Sequence, residues 1–440
     1  MDLPRFFHGE VKPAMGCTEP GAVAYAAASA ARLLQGKVQR LDMDLSLGMF
    51  KNGRDVGIPG SGGLRGSRLA AAMGALAGDP QKGLMALEGL PPDIAREAAR
   101  MVQAGTVNER VVDNVPAVYA GITVHAESGE ATAVISGRHD RLSRLVHNGK
   151  VVFEAETLQD LGPVLPDYLL ELKDMSFEQI WELAGRIDSA TEKHLLEGAA
   201  MNMALARRGL EMGWGIGVGQ SIAAHSSGDL GARVRCMTGA AADMRMAGEP
   251  YPAMSSAGSG NQGITATVPL AVVAEARGIP PRRLAEALAL SHLITGYLKA
   301  YAGPLSAICG CAVSAGVGAA AGLVRLSGGA ALQAERAAAT LLASLMGMIC
   351  DGAKNACCLK VAVAAGEAYD AGCMGLDGKG VQRPAGVVSP RLTVSARALA
   401  RISKALSAAD KTMVSIMLEQ EEDDIKKIQE DQKQSAYDKG

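Results

Sequence analysis

Cysteine is the residue type with the most chemical scope in this chain of 440 residues, which contains eight of them. Cys350 and Cys357, in MICDGAKNACC, are seven residues apart, which would leave them about 10 Å apart along a straight helix. Asp351-Gly352 between them is a natural helix end, and a chain that folds back there could bring both sulfurs to one iron-sulfur cube. Two buried structural cysteines are the alternative. No Cys-x-x-Cys occurs, which argues against a ferredoxin-like or zinc-finger site.

In two further pairs of cysteines, the question is which of the two side chains faces the site. Cys309 and Cys311 lie two apart in a helical pattern, about 200° around the axis, so only one of them should face a given site. The adjacent Cys357 and Cys358 pose the same choice. One thiolate from 309–311 and two from 350–358 would leave one iron of a cube without a protein ligand, as a Lewis-acid catalyst needs.

Cys17 is a candidate general base. It lies in PAMGCTEP, immediately before a predicted helix. Exposed amides and the helix dipole at that position should lower the pKa of the Cys17 thiol.

The segment Gly258–Gly263 matches the letters GxGxxG and precedes a helix. The residues before it, GEPYPAMSSA, cannot form a buried parallel strand, so a dinucleotide site is not favoured. A backbone nest at a helix N-terminus that receives a carboxylate, helped by Ser259 and Asn261, is one interpretation. An ordinary helix-start loop is the other.

Other polar candidates lie outside the cysteine segments. Lys51-Asn52-Gly53, followed by PGSGG, either presents polar groups to a ligand or forms an ordinary hairpin turn. Among the seven histidines, His139 in SGRHD is the one expected nearest a site, with a purely structural role as the alternative.

The elements that must position these residues change character along the chain. A helix over Ala22–Leu34, begun at Thr18 and Glu19, precedes alternating strand patterns. The predicted strands are Val38–Leu47, Val118–His125, Ala131–Ser136 and Val151–Glu156. Helices dominate from Ser176 onward: Phe177–Arg186, Ala190–Arg208, Thr265–Ala276, Arg282–Tyr301, Leu305–Leu326 and Ala330–Ile349. The prediction is an α+β fold, with an α+β domain over 1–165, a larger all-helical domain over 166–420 and a charged tail over 421–440.

Composition limits the partners. The 46 acidic and 44 basic side chains nearly cancel, so nucleic acid and anionic membranes are not expected partners and a small substrate is. The N-terminus lacks a secretory signal, which predicts a reducing, cytoplasmic setting where cysteines serve metal binding or catalysis. Pro304–Val324 is long enough to span a bilayer, but its Ala, Gly, Ser and Cys content favours a buried helix. Homo-oligomerisation is left open.

Five strings resemble the L-cysteine desulfidase family, which is related to the α-chain domain of iron-sulfur L-serine dehydratases. They are EVKPAMGCTEP at 10–20, KNG with IPGSG at 51–62, PAMSSAGSGNQGITATVP at 252–269, LSAIC at 305–309 and GMICDGAKNAC at 347–357. The resemblance implies a [4Fe-4S] enzyme that converts L-cysteine and water to pyruvate, ammonia and sulfide without pyridoxal phosphate. It implies Cys309, Cys350 and Cys357 as cluster ligands and Cys17 as the base, with Cys311 and Cys358 as neighbours. The expected substrate contacts are Lys51, Asn52, His139, Ser259, Gly260 and Asn261.

Three other functions compete with this one. L-serine dehydration is the nearest, because an open iron binds hydroxide as well as sulfide. A pyridoxal-dependent lyase would use Lys51 or Lys354 for its Schiff base, and a small-residue membrane transporter belongs to another class altogether. If Cys17 acts beside the cluster, the active site should lie at the interface of the two predicted domains.

Overall fold

The computed structural model describes residues 1–155, 165–303 and 305–420. Its N-terminal part combines helices with a mixed sheet. The helices are α1 (Leu3–Glu10), α2 (Thr18–Ala31), α3 (Leu47–Gly53), α4 (Ser67–Ala77) and α5 (Pro92–Gln103), with a 3-10 turn at Pro80–Met85. The strands are β1 (Pro13–Ala14), β2 (Val38–Leu45), β3 (Val107–Val111), β4 (Tyr119–Ala126), β5 (Gly129–Ser136), β6 (Leu142–His147) and β7 (Lys150–Glu154).

Six of these strands form one sheet in the order β3-β2-β4-β5-β6-β7. The β2–β3 pair is parallel and the other neighbours are antiparallel. Alternation along β2 buries Leu41, Met43 and Leu45 on the face against which α2 and α4 pack. Small residues allow these two helices to approach closely, since a Cβ on Gly74 would lie 2.4 Å from the carbonyl oxygen of Ala24.

The second part of the chain is helical. Its elements are α6 (Asp167–Lys173), α7 (Phe177–Ala184), α8 (Ser189–Met212), α9 (Val218–His225), α10 (Leu230–Met246), β8 (Ala253–Met254), α11 (Gly260–Arg277), α12 (Pro281–Ala302), a π-helical turn at Cys311–Gly316, α13 (Val317–Leu326), α14 (Ala331–Leu345), α15 (Cys357–Leu376), α16 (Leu392–Leu406) and the helical segment 409–420. The predicted fold class, α+β followed by a helical region, is confirmed. The two-residue strand β8 is a departure from an all-helical second part, and the predicted tail over 421–440 lies outside the described residues.

The sequence missed or misplaced several elements. The helix predicted over Leu305–Leu326 is wrong at its start, because residues 305–309 are not helical and Ile308 bridges Ile349 instead. Lys51-Asn52-Gly53, predicted as a loop or turn, is the last turn of α3. Helix α10 was not predicted, because it is buried on nearly every side and its sequence therefore shows no amphipathic stripe.

The segment weighed as a membrane span is a buried helix over most of its described part. From Cys311 onward it packs against α11, α12, α14 and α15. Among the helices of the described ranges, none combines the length and the apolar character that crossing a bilayer requires.

A short strand pair joins the two parts of the chain. Pro13 and Ala14 in β1 pair with Met254 and Ala253 in β8. Asn202 in α8 clamps β8, because its amide donates to the Met254 carbonyl at 3.0 Å and accepts from the Met254 N–H at 2.9 Å. This pairing places the segment before α2 next to the start of α11.

The clamp predicts a measurable stability difference. Asn202→Ala should lower the free energy of unfolding by about 3 kcal/mol, because the buried peptide groups of Met254 lose their amide partner. Thr267→Val removes the hydroxyl that accepts from the Asn202 amide at 2.8 Å and should cost about 1 kcal/mol. Denaturant titration of both variants measures the difference, and equal losses would contradict the clamp.

Candidate functional site

A cavity of about 250 Å³ lies where both parts of the chain meet. The segment before α2, the loop between β5 and β6, the start of α11 and the two cysteine segments all contribute to its wall. Eight of the predicted site residues line it: Cys17, Asn52, His139, Ser259, Asn261, Cys309, Cys350 and Cys357. Lys51 and Gly260 lie outside this lining.

A short antiparallel ribbon brings Cys309 and Cys350 together. Around the Ile308–Ile349 bridge, the Cys309 N–H donates to the Met348 carbonyl and the Cys350 N–H to the Ala307 carbonyl, each at 2.8 Å. Residues on either side of a paired position point to the opposite face from it, so Cys309 and Cys350 share one face as diagonal neighbours. That face is the cavity wall.

The predicted helix break between Cys350 and Cys357 is present. Helix α14 ends at Leu345, α15 begins at Cys357, and the chain between them is not helical. Gly352 has a φ of 96°, and a Cβ there would lie 2.3 Å from the Lys51 carbonyl oxygen. Only glycine fits this approach, which turns the chain so that Cys357 enters the same cavity.

The expectation that only one of Cys309 and Cys311 faces the site is wrong. Both line the cavity, because Cys309 precedes the helical turn and is not subject to its angular spacing. A hydrogen bond between the two thiols lowers the pKa of Cys309 and raises the pKa of Cys311. Cys358 is fully buried, contacts Asp243 and lies outside the cavity lining, as expected of a neighbour.

The thiols act on one another electrostatically. Burial raises the pKa of Cys350, and the Cys309 charge raises it further. The pKa of Cys357 rises to about 11 for the same two reasons. Lys51 and Lys360 oppose this trend by lowering the pKa of Cys350. The cavity therefore gathers thiols that need positive charge, or a metal group, to ionise together.

The donor set suits a cluster better than one ion. Among the described residues, no three His, Cys, Asp or Glu side chains are arranged to hold a single metal ion. A [4Fe-4S] cubane is larger than an ion and keeps its thiolate ligands further apart. Five thiols around one cavity, with lysines beside them, fit such a group by ligand chemistry.

Cys17 begins α2 as its N-cap residue, but the predicted lowering of its pKa is wrong. Burial raises the pKa of the Cys17 thiol to about 12, and the Glu19 charge adds to that rise. Arg245 lowers it, both by its charge and by a hydrogen bond to the thiol. The guanidinium is buried and also donates to the Gly16 carbonyl, so it fixes the backbone that carries Cys17.

The start of α11, where a carboxylate nest was predicted, contributes to the cavity wall. Ser259 occupies the N-cap position of this helix, and it lines the cavity together with Asn261. Asn261 Oδ1 accepts a hydrogen bond from Arg245 at 3.0 Å. Gly260 does not line the cavity as predicted, because it faces Arg245, whose Nε would lie 2.2 Å from a Cβ at this position. Its role is to make room for the guanidinium.

The neighbouring side chains of Asn52 and Lys51 make different contacts. Asn52 Nδ2 donates to Glu19 Oε1 at 3.1 Å, and His139 Nε2 lies 3.8 Å from the same oxygen. Lys51 is buried, donates to the Cys350 carbonyl at 2.8 Å and pairs with Asp410 at 2.6 Å. Lys51 therefore supports the cysteine loop and lies outside the cavity lining, and its predicted substrate contact stays a prediction.

Glu19, Arg245 and Lys299 are among the cavity residues that the sequence did not single out. Glu19 lies inside the GCTEP string, so its type and position were the only available signal. Arg245 acts on a segment 229 residues away, a distance that no local pattern reveals. Lys299 falls within a correctly predicted helix, where a lysine indicates an exposed face by default.

Comparisons with known proteins agree with this geometry. The serine dehydratase alpha chain family matches residues 93–419. A UPF0597 protein of Nitratidesulfovibrio vulgaris strain DP4 is 58% identical over 438 residues, covering 95% of this chain and 99% of that protein. UPF0597 proteins of Oleidesulfovibrio alaskensis G20 and Clostridium botulinum Langeland are 38% and 34% identical, covering 93% and 92% of this chain and 96% and 94% of their own lengths. The chain thus belongs to the serine dehydratase alpha chain family, which implies a lyase-type enzyme.

Proposed function

We propose that this protein is an iron-sulfur lyase that eliminates the β-substituent of a small amino acid, with L-cysteine as the substrate and pyruvate, ammonia and hydrogen sulfide as the products. The observation that carries the proposal is one cavity lined by Cys309, Cys350, Cys357 and Cys17. The first three supply thiolates to a [4Fe-4S] cluster, and the fourth is left for proton transfer.

The cluster would be held by Cys309, Cys350 and Cys357. With one iron free of protein ligands, it would supply a Lewis acid for the substituent on the substrate Cβ. The chain's own contribution is to fix the ligands: the ribbon aligns Cys309 with Cys350, and Gly352 allows the turn that brings in Cys357.

Cys17 is the proposed base for the Cα proton. Its raised pKa keeps the buried thiol neutral near pH 7, and the Arg245 guanidinium beside it favours the thiolate. A thiolate whose conjugate acid has so high a pKa is a strong base, so its formation next to the substrate favours proton removal. The aminoacrylate product needs no further residue, because it tautomerises and hydrolyses in water.

The substrate carboxylate is proposed to bind at the start of α11. The Ser259 and Asn261 residues line this part of the cavity, where the N-terminus of an eighteen-residue helix favours an anion. Binding there would orient Cα toward Cys17, and such positioning can supply much of a rate enhancement.

L-serine is the second candidate substrate, favoured by the name of the matching family. The two eliminations differ in the atom that leaves Cβ and share the proton transfer. A pyridoxal-dependent reaction is less well supported, since the two lysines considered for a Schiff base are engaged in ion pairs, Lys51 with Asp410 and Lys354 with Asp351.

One experiment separates these candidates. The protein is purified without oxygen, its iron and acid-labile sulfide are counted, and product release is measured with L-cysteine beside L-serine. The proposal expects about four irons per chain and sulfide release with a higher kcat/KM for L-cysteine. Pyruvate formed faster from L-serine would favour the dehydratase, and full activity in protein without iron would reject the cluster.

A ligand test follows from the ribbon and the helix break. Cys309→Ala, Cys350→Ala and Cys357→Ala should each prevent full cluster assembly, because each removes one of three thiolates. Cys358→Ala is the matched control, since this buried thiol lies outside the cavity lining. Iron counting and the visible absorption of the cluster after anaerobic reconstitution measure the outcome. Full occupancy in one of the three variants would make Cys311 the replacement ligand.

The proton-transfer role of Cys17 gives a separate prediction. Cys17→Ser should retain the cluster and bind substrate, but lose turnover by about a hundredfold or more, since it lacks a competent base. The serine hydroxyl keeps the volume nearly unchanged and ionises far less readily than a thiol. Loss of iron in this variant would instead indicate that Cys17 ligates the cluster.

A further inference from the structure

Cys17 lies close to groups of opposite charge. The Arg245 guanidinium hydrogen-bonds its thiol, and the Glu19 carboxylate is near enough for its charge to act on it. An α-amino acid carries a carboxylate and an ammonium group on the same carbon that loses a proton in the proposed reaction. Opposite charges around the base therefore match a zwitterion centred on that carbon.

Glu19 is a buried carboxylate that accepts hydrogen bonds from neutral donors and has the His139 imidazole 3.8 Å from its Oε1. Asn52 Nδ2 donates to Oε1 and Thr18 Oγ1 donates to Oε2, each at 3.1 Å. Glu19 is only 7% exposed, lines the cavity and lies in the first turn of α2, where the helix dipole favours a negative charge. Each carboxylate oxygen accepts more than one hydrogen bond, so both can also accept from a ligand.

Two other carboxylates on the cavity wall are engaged differently. Asp140 is paired with Lys12 at 3.0 Å and with Arg138 at 3.2 Å. Glu10 accepts a hydrogen bond from the Tyr168 hydroxyl at 2.9 Å. Glu19 is the carboxylate whose charge acts on Cys17.

Lys299 supplies a positive charge to the same cavity. Burial lowers the pKa of Lys299, and the charges of Cys350 and Glu19 oppose that shift, followed by those of Cys311 and Cys309. Lys299 therefore compensates negative charge from the cysteines as well as from Glu19.

We propose that Glu19 is the subsite for the α-ammonium group of the substrate, with Asn52 holding the Glu19 carboxylate in place. The inference rests on the proposed function, since it places an amino acid in this cavity. The ammonium group binds at Glu19, the carboxylate at the start of α11 and the β-substituent at the cysteine end. Three attachment points determine which face of Cα is presented to Cys17, so they select one enantiomer.

Glu19→Gln tests the subsite because it keeps the shape of the side chain and removes its charge. Reconstituted wild-type and variant proteins are titrated calorimetrically with two thiols. Cysteamine carries an ammonium group without a carboxylate, and 3-mercaptopropionate carries a carboxylate without an ammonium group. The Kd for cysteamine should rise about 10-fold or more, because a charge-assisted hydrogen bond is lost. The Kd for 3-mercaptopropionate should change by less than about twofold or fall, because Glu19 no longer repels it.

Glu10→Gln is the matched control, since it also removes one carboxylate from the cavity wall. Both Kd values should change by less than about twofold in this variant. Equal weakening of the two ligands in Glu19→Gln, or no change in either, would overturn the ammonium subsite. Wild-type protein that binds both thiols but releases no sulfide from L-cysteine and no pyruvate from L-serine would overturn the proposed function and leave the subsite standing.

Discussion

Mutual repulsion among closely placed thiolates is the constraint on which the cavity depends. The Cys309 charge raises the pKa of Cys350 and Cys357, whereas the hydrogen bond from Cys311 lowers the pKa of Cys309, so Cys350 and Cys357 are held mostly as neutral thiols. A cluster would relieve the repulsion, since its irons bind thiolates and not thiols. In such a site, binding of the metal group would release the protons of the thiols, so the two events are coupled.

The lysines around the cysteine segments are arranged to favour that event. Lys360 donates to the Ile349 carbonyl at 2.8 Å and pairs with Asp351, so it holds the loop while its charge acts on Cys350. Lys51 acts on Cys350 from the N-terminal part of the chain, where Asp410 anchors it. Each lysine therefore positions backbone and compensates charge at once, Lys51 from a buried position and Lys360 from a partly exposed one.

The sequence predicted the parts of the molecule that depend on local pattern. Period-two alternation located β2, β4, β5 and β7, and the recognised strings identified the cysteines that line the cavity. The Cys311 error arose because a helical pattern was extended across residues 305–309, where pairing with Ile349 overrides local propensity. Arg245 could not be predicted, since its contact with Gly16 exists only after β1 and β8 have paired.

The pKa of Cys17 shows why a local rule can give the wrong sign. A helix N-terminus stabilises a nearby anion by up to about 2 kcal/mol, which is roughly one and a half pKa units. Full burial can shift a pKa by about 3 to 5 units in the opposite direction, so desolvation wins wherever the cavity closes over the thiol. Position relative to a helix can be read from a sequence, whereas burial depends on the whole fold.

The same balance connects the base to its substrate. Glu19 raises the pKa of Cys17, so an ammonium group that pairs with Glu19 would cancel that contribution and make the thiolate easier to form. Arg245 already favours the thiolate, and its position is fixed by hydrogen bonds to Gly16 and Asn261. A base arranged in this way stays neutral in the empty cavity, where a buried thiolate would be costly, and ionises more readily when a zwitterion enters.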